Sequence, residues 1–366
     1  MDPGALGEHL AAGGVKPGHA ARLLRAHLAG VNLGPATLPG MPARVFRPLG
    51  ELLEHEPPVV ARARAADGTT KLLLRLADGR TVESVLMPDY RSDRAAGCLS
   101  TQVGCAMGCD FCATTRSGFE RNLTSGEILA QLVALRREAR AAGRELRTVV
   151  LMGMGEPLLN LEAVLPAVRQ MADNQLGAVG WRQITVSTVG IVPGIDALTA
   201  TGWGVQLAVS LHAPDDETRG RILPMGRRHG IAAILEAADR FQAARGRPVI
   251  IQYCLLAGVN DRPEHARRLV DWLAGRRMHL NLLTYHPTGA GLSGREYQRS
   301  PDDVAEAFAR VTGEGGVVTH FRRSRGVEVA AACGQLRSRP GGAPARDVPG
   351  SPGSGRRRSA DAAMAG

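Results

Sequence analysis

The chain of 366 residues predicts an α/β fold. Parallel strands joined by crossover helices would form an open sheet or a partial barrel, preceded by a small helical segment and a short antiparallel meander. Three observations predict this. From residue 98 onward, apolar strand-like runs alternate with segments of helical periodicity. Before them, three short runs are separated by Asp67-Gly68 and Asp78-Gly79, the dipeptide of tight hairpins. Earlier still, apolar residues recur at helical spacing between Gly and Pro breaks.

In chain order, residues 1–56 read as a helical accessory domain. Within "VKPGHAARLLRAHLAG", Pro17 stands near a helix start, and Ala20, Leu23, Leu24 and Leu28 make an apolar face. His19, Arg22 and Arg25 recur every third residue on the other side. They are a candidate phosphate-facing stripe, although a solvated helix face is the plainer reading. Residues 57–90 hold the meander as "PVVARARA", "KLLLRLA" and "RTVESVLMP". Residues 91–338 form the core. Its strands are expected near 98–103, 148–152, 183–188, 205–211, 248–255 and 279–283. Helices are expected near 125–142, 161–173, 194–200, 231–244 and 263–274, the first opened by a Thr124/Glu127 capping box. A helix near 301–311 and a strand near 316–321 close the core. Residues 339–366, rich in Pro, Gly, Ser and Arg, read as a disordered basic tail.

The formal charge is +10, from 45 basic and 35 acidic residues, which suits a polyanionic partner. Only Lys16 and Lys71 are lysines, so the arginine excess fits a genomic base bias equally well. No apolar run approaches the ~18 residues of a membrane helix. Met1 to Leu10 lacks the cationic start and apolar stretch of a secretory signal, so a cytoplasmic protein is expected.

Of 6 cysteines, three fall in "GCAMGCDFCATT" as Cys105, Cys109 and Cys112, a C-x3-C-x2-C pattern. In a reducing compartment such clustering points to metal or redox chemistry rather than a disulfide framework. A structural zinc site needs four ligands, usually as two pairs. Here the next cysteine, Cys254, lies in the apolar run "VIIQYCLL", where a buried, inert thiol is the plainer reading. No histidine lies between residues 105 and 200. Three thiolates on one loop can instead hold three corners of a 4Fe–4S cube, leaving one iron open to a small molecule. A second signal follows in "VVLMGMGEPLLN", where Gly155-Glu156-Pro157 end a strand. A carboxylate at the C-terminal end of a barrel strand stands where site residues are expected.

The cysteine spacing, with Phe111 before the third cysteine, resembles the radical S-adenosylmethionine superfamily. The segments "CLSTQVGCAMGCDFCATTRSGFERNLTSGEI", "MGMGEPLLN", "ITVSTVGIVPGI", "LAVSLHAPDDETR" and "AAACGQL" occur in the order of the RlmN/Cfr family. The similarity runs from about residue 80 to 337. It implies a partial (β/α)6 radical-SAM barrel and methyl transfer to a ring carbon of a ribosomal RNA adenine, carbon 2 favoured. It further implies that Cys105, Cys109 and Cys112 bind the cluster. Gly155, Glu156, Ser187, Ser210, Leu211 and His212 would contact adenosylmethionine. Cys333 would carry the methyl group, Cys98 would resolve the covalent intermediate as a disulfide, and Glu83 would be the general base.

One departure is visible. After the last barrel strand the family's Pro-x-Asn-Pro reads "LLTYHPTGAG" here, placing His286 where an asparagine would help hold adenosylmethionine. An imidazole can still make one such hydrogen bond. The 4% aromatic content gives no base-stacking platform, so arginine–phosphate contacts are expected to dominate RNA binding. Ribosomal RNA is the first partner implied and transfer RNA the second, with a flavodoxin or ferredoxin as electron donor, no membrane, and a monomeric enzyme. Two alternatives stay open: a radical-SAM methylase of a small molecule, and a metal-binding RNA adaptor without catalysis.

Overall fold

A computed structural model describes residues 3–46, 56–322 and 324–336. Helices α1 (Pro3–Ala12) and α2 (Ala20–Leu28) open the chain. Ala20, Leu23, Leu24 and Leu28 are buried on the apolar face of α2. The meander follows as β1 (Val59–Arg64), β2 (Thr70–Arg75) and β3 (Thr81–Pro88), antiparallel neighbours. Gly68 and Gly79 both take φ 82° in its turns, a conformation cheap only for glycine. The expected basic tail lies outside the described residues.

The meander is continuous with the core sheet. Strand β3 pairs antiparallel with β4 (Arg94–Cys98), setting Val85 opposite Cys98. From β4 the sheet runs parallel through β7 (Glu145–Leu151), β8 (Ile184–Thr188), β9 (Gln206–Ser210), β10 (Val249–Leu255), β11 (Met278–Thr284) and β12 (Val318–Arg322). Strands β5 (Gln102–Gly104) and β6 (Phe119–Asn122) form a separate antiparallel ribbon. Among the described residues no pairing joins β12 to β1, so the barrel is open.

Crossover helices pack on one face of the sheet: α3 (Ser125–Ala141), α4 (Leu161–Ala172), α5 (Val192–Ala200), α7 (Ile231–Arg245), α8 (Pro263–Leu273) and α9 (Asp302–Glu314), while the short α6 (Asp216–Ile222) packs its Ile222 with Phe111 and Cys254. Val149, Val186, Val209, Ile251 and Leu280 are fully buried, each contributing about 1.5–3 kcal/mol of hydrophobic stabilisation. The capping box on α3 is present, with Thr124 and Glu127 satisfying each other's backbone N–H.

The strand expected at 98–103 is two strands. After Cys98 the chain leaves the sheet because its amides find other partners. Ser100 N donates to Gln131 Oε1 (2.8 Å), and the Thr101 and Gln102 amides share Met154 O at 2.8 and 3.2 Å. The β5–β6 ribbon and α6 were not expected either; short polar segments carry too little periodicity to betray them.

Beyond β12 the chain turns back across the barrel's open side. Gly326 N donates to Asp67 Oδ2 (3.0 Å), Ala66 N to Glu328 Oε2 (3.0 Å), and Lys71 Nζ to Ala330 O (3.2 Å). Farther on, Ala113 N donates to Gly334 O (2.7 Å) and Thr114 Oγ1 to Leu336 O (2.6 Å). This strap joins β12 to the meander and then to the cysteine segment, carrying Cys333 with it.

Candidate active site

Register decides which side chains share a face. In-register neighbours project together and alternate every second residue. Cys98 pairs with Val85 and Val150, Val150 with Thr185, Ser187 with Ala208, Ala208 with Ile250, and Ser210 with Gln252. Glu83, Cys98, Ser187 and Ser210 therefore lie on one face of four different strands. It is the face away from the helices, because Tyr253, one residue beyond Gln252, stacks on Phe308 of α9 at 5.4 Å.

The cysteine segment is held between β5 and β6. Gly104 has φ 71°, and a Cβ there would lie 1.8 Å from Gly118 O, so no side chain fits. Cys105 N donates to Gly118 O (2.9 Å), while Thr115 Oγ1 reaches Cys109 O (3.0 Å) and Cys112 O (2.9 Å). Asp110 accepts from Ser293 N (2.8 Å), Ser293 Oγ (2.5 Å) and Tyr297 OH (2.8 Å). That carboxylate clamps the loop after β11 onto the cysteine segment.

Burial pushes the Cys105 thiol up to about 12 and raises Cys109 and Cys112 as well. Cys105 and Cys112 also act on Cys109 as neighbouring charges, so the three thiols share one environment. The buried Arg219 guanidinium opposes the shift at Cys109. Among the described residues no three His, Cys, Asp or Glu side chains close around a single ion position. A cluster bound at three separate irons does not require that convergence. Three soft thiols on one loop, beside a buried cation that favours thiolate, fit an iron–sulfur cluster, whose own charge would deprotonate them.

Glu156 follows β7 and is buried. Its carboxylate accepts from Leu158 N (3.1 Å) and Val189 N (2.8 Å), yet burial raises it to about 7. A buried carboxylate so disfavoured as an anion gains from a cationic ligand such as an ammonium. Gly155 before it has φ 101°, and a Cβ would come within 2.6 Å of Gln102. His212 follows β9 at φ 57°. Its Nδ1 accepts from Cys254 N (3.0 Å), and burial lowers it to about 3, so the ring is neutral. Leu211 is fully buried and can offer a ligand only its backbone. His286 follows β11; burial, then Arg299, lowers its pKa, and its buried Nε2 has no partner among the described residues. An orphaned nitrogen at that strand end fits a ligand contact.

Glu83 is buried and ion-paired with Lys71 Nζ at 3.0 Å. Burial, then Cys333, pushes the Cys98 thiol up to about 12, which places Cys333 in its neighbourhood. The expected disulfide is not formed: all six cysteines are free, and Cys333 is exposed. Cys254 is buried, but it projects to the same face as Gln252 and packs with Phe111, so it borders the site. Its position, the clamp made by Asp110 and the placing of Gln252 on this face were missed in the sequence. The signal for Gln252 was a single amide inside "VIIQYCLL".

In the N-terminal stripe Arg22 and Arg25 are exposed, and each also makes an internal contact. Arg22 Nη2 donates to Pro39 O (2.9 Å) and Arg25 Nε to Gln175 O (2.6 Å), so these arginines hold α2 in place. Among the described residues no helix is long and apolar enough to cross a membrane.

The fold and this cysteine–glutamate arrangement define a radical S-adenosylmethionine protein, and the Radical SAM superfamily description matches residues 99–271. The crystal structure of a radical SAM methyltransferase from Sphaerobacter thermophilus is similar with a TM-score of 0.84 and 38% identity, covering 92% of this chain and 97% of that one. A "Probable dual-specificity RNA methyltransferase RlmN 1" from Opitutus terrae is 63% identical over 91% of this chain and 94% of its own length. A Thermus thermophilus relative described as "Probable dual-specificity RNA methyltransferase RlmN" is 48% identical over 74% of each chain. The chain belongs to the RlmN family of radical S-adenosylmethionine methyltransferases.

Proposed function

We propose that this chain methylates an adenine ring carbon of RNA, carbon 2 in preference to carbon 8, with Cys333 as methyl carrier. The observation that carries the reading is the strap. Hydrogen bonds from Ala113 N to Gly334 O and from Thr114 Oγ1 to Leu336 O hold its Cys333 segment against the cysteine loop, within electrostatic reach of Cys98 although the two stand 235 positions apart. The relatives' description as dual-specificity RNA methyltransferases supports RNA as substrate, ribosomal RNA first and transfer RNA second. A small flavodoxin or ferredoxin would supply electrons to a monomeric, cytoplasmic enzyme.

Cys105, Cys109 and Cys112 would hold a 4Fe–4S cluster. Gly155, Glu156, Ser187, the Ser210–His212 segment and His286 would hold adenosylmethionine. When bound, these groups supply a methyl group and the one-electron removal of a hydrogen atom, which a non-nucleophilic ring carbon requires. Cys333 holds the methyl carbon against the adenine, and the new carbon–carbon bond joins base to protein. Glu83 accepts the proton that the ring carbon gives up, and the unpaired electron left by the addition would return to the iron–sulfur cluster. Cys98 then attacks the Cys333 sulfur; the electron pair of the broken carbon–sulfur bond stays with the methylene carbon, which takes up a proton to become the methyl, and a Cys98–Cys333 disulfide is left on the protein. Because burial keeps Cys98 protonated at neutral pH, its proton must leave before it attacks.

The test is Cys98→Ala. Release should fail, and a denaturation-resistant protein–RNA adduct mapping to Cys333 should accumulate, dependent on adenosylmethionine and a reductant. Cys333→Ala should form none. Normal turnover by Cys98→Ala would sink the two-thiol reading. An adduct with a small molecule alone would transfer the reading to small-molecule methylation.

A further inference from the structure

Gln252 on β10 is over nine-tenths buried, and its Oε1 accepts no hydrogen bond from the described residues. A buried acceptor left without a donor costs about 1–3 kcal/mol, so such atoms persist where something else supplies the donor. Its surroundings say what. Gln252 lies in register with Ser210 on β9 and Asn281 on β11, a polar row on the face away from the helices. Leu211 N and His212 N both donate to Gln252 O (3.1 and 3.3 Å), so the backbone after Ser210 is folded over this residue. One level below on the same face is Ser187, opposite Ala208.

We propose that Gln252 is a ligand-binding residue whose Oε1 accepts a hydrogen bond from the adenosyl part of adenosylmethionine, from a ribose hydroxyl or the adenine amino group. The assignment rests on the reading that the Ser187 and Ser210–His212 surfaces hold that cofactor. Oε1 can only accept, and these are the adenosyl groups that donate. The methionine ammonium has a better partner in Glu156, which follows β7, three strands away. The target adenine of RNA offers the same donor. The cofactor is favoured because Gln252 is tied to the backbone of the Ser210–His212 segment.

The test uses the full chain with its cluster reconstituted anaerobically, and Gln252→Met, which keeps the shape and removes the acceptor. Equilibrium binding is measured with adenosylmethionine, with 5′-deoxyadenosine and with methionine alone. Gln252→Met should bind the first two roughly 3- to 10-fold more weakly, the worth of one neutral hydrogen bond, and methionine equally well. Gln252→Glu, which keeps an acceptor, should recover most of the 5′-deoxyadenosine binding. Thermal melting of the ligand-free protein is the readout that a structural role would move the other way. Removing an unpaired buried amide should leave Tm unchanged or higher, whereas an amide that serves the fold would lower it. Unchanged 5′-deoxyadenosine binding, a Gln252→Met chain that melts earlier or does not fold, or a loss confined to RNA binding would each overturn the assignment. Failure of the wild-type chain to bind any adenosyl compound would instead sink the cofactor reading beneath it.

Discussion

At the scale of single residues, the site combines groups whose ordinary ionisation is suppressed by burial. Glu156 is the clearest case, raised to about 7 from 4.5. In the ligand-free fold it keeps a proton that the unfolded chain releases, so this contribution to stability is full below 4.5 and falls as pH rises toward about 7. The loss is on the order of 3 kcal/mol. Melting wild type and Glu156→Gln across that range should show the wild type losing ground relative to the variant as pH rises; parallel curves would contradict it. The cysteines give a second test. Alanine at Cys105, Cys109 or Cys112 should abolish iron–sulfur absorbance and adenosylmethionine cleavage, whereas Cys254→Ala should keep both. Loss of iron from Cys254→Ala would show that the border thiol is a ligand. His286→Asn should retain cleavage, since an amide can replace the neutral imidazole's single hydrogen bond.

Elements place those residues, and the β5–β6 ribbon governs the cysteines. Gly104 permits the ribbon to close because nothing separates its Cα from Gly118 O. Gly104→Ala should cost at least about 2 kcal/mol and lower iron uptake, measured by melting and metal content. Asp110 performs the complementary task from the other side. Although burial raises it, hydrogen bonds from the Ser293 side chain and backbone, from Tyr297 and from the Leu292 backbone hold its carboxyl below the usual carboxylate range. Asp110→Asn should destabilise by about 2 kcal/mol and speed iron release to a chelator. Unchanged release kinetics would mean that the clamp holds only the loop after β11.

The whole molecule is an open sheet whose gap is bridged by the strap from β12. Asp67 is an anchor, accepting from Thr69 N at 2.8 Å and Gly326 N at 3.0 Å. Asp67→Ala should leave the global melt within about 1 kcal/mol yet accelerate proteolytic cleavage at Arg325. Lys71→Met should do more, because it strands Glu83 without its buried cation, at a cost of about 3 kcal/mol. Equal cleavage rates in wild type and Asp67→Ala would show that the strap is held elsewhere.

The sequence by itself determined the strand–helix alternation, the meander turns, the capping box of α3 and the cysteine and glutamate motifs. Each is a local signal: periodicity, a turn dipeptide, or ligands on one loop. Thr124 and Glu127 could be read because a cap involves only four consecutive residues. The split of residues 98–103 could not, because it depends on Gln131 and Met154 capturing amides from afar. Nor could the contacts of Arg22 and Arg25, which stay exposed as a stripe yet also donate to Pro39 and Gln175. Cys254 and Gln252 sat in an apolar run whose hydrophobicity masked a two-residue alternation, and only pairing register decided which face they meet. A pairing of Cys333 with Cys98 was implied by resemblance alone, whereas the course of the strap that carries Cys333 to the cysteine segment is seen only in the structure. Contacts between residues hundreds of positions apart leave no periodic trace, so only the tertiary structure could decide them.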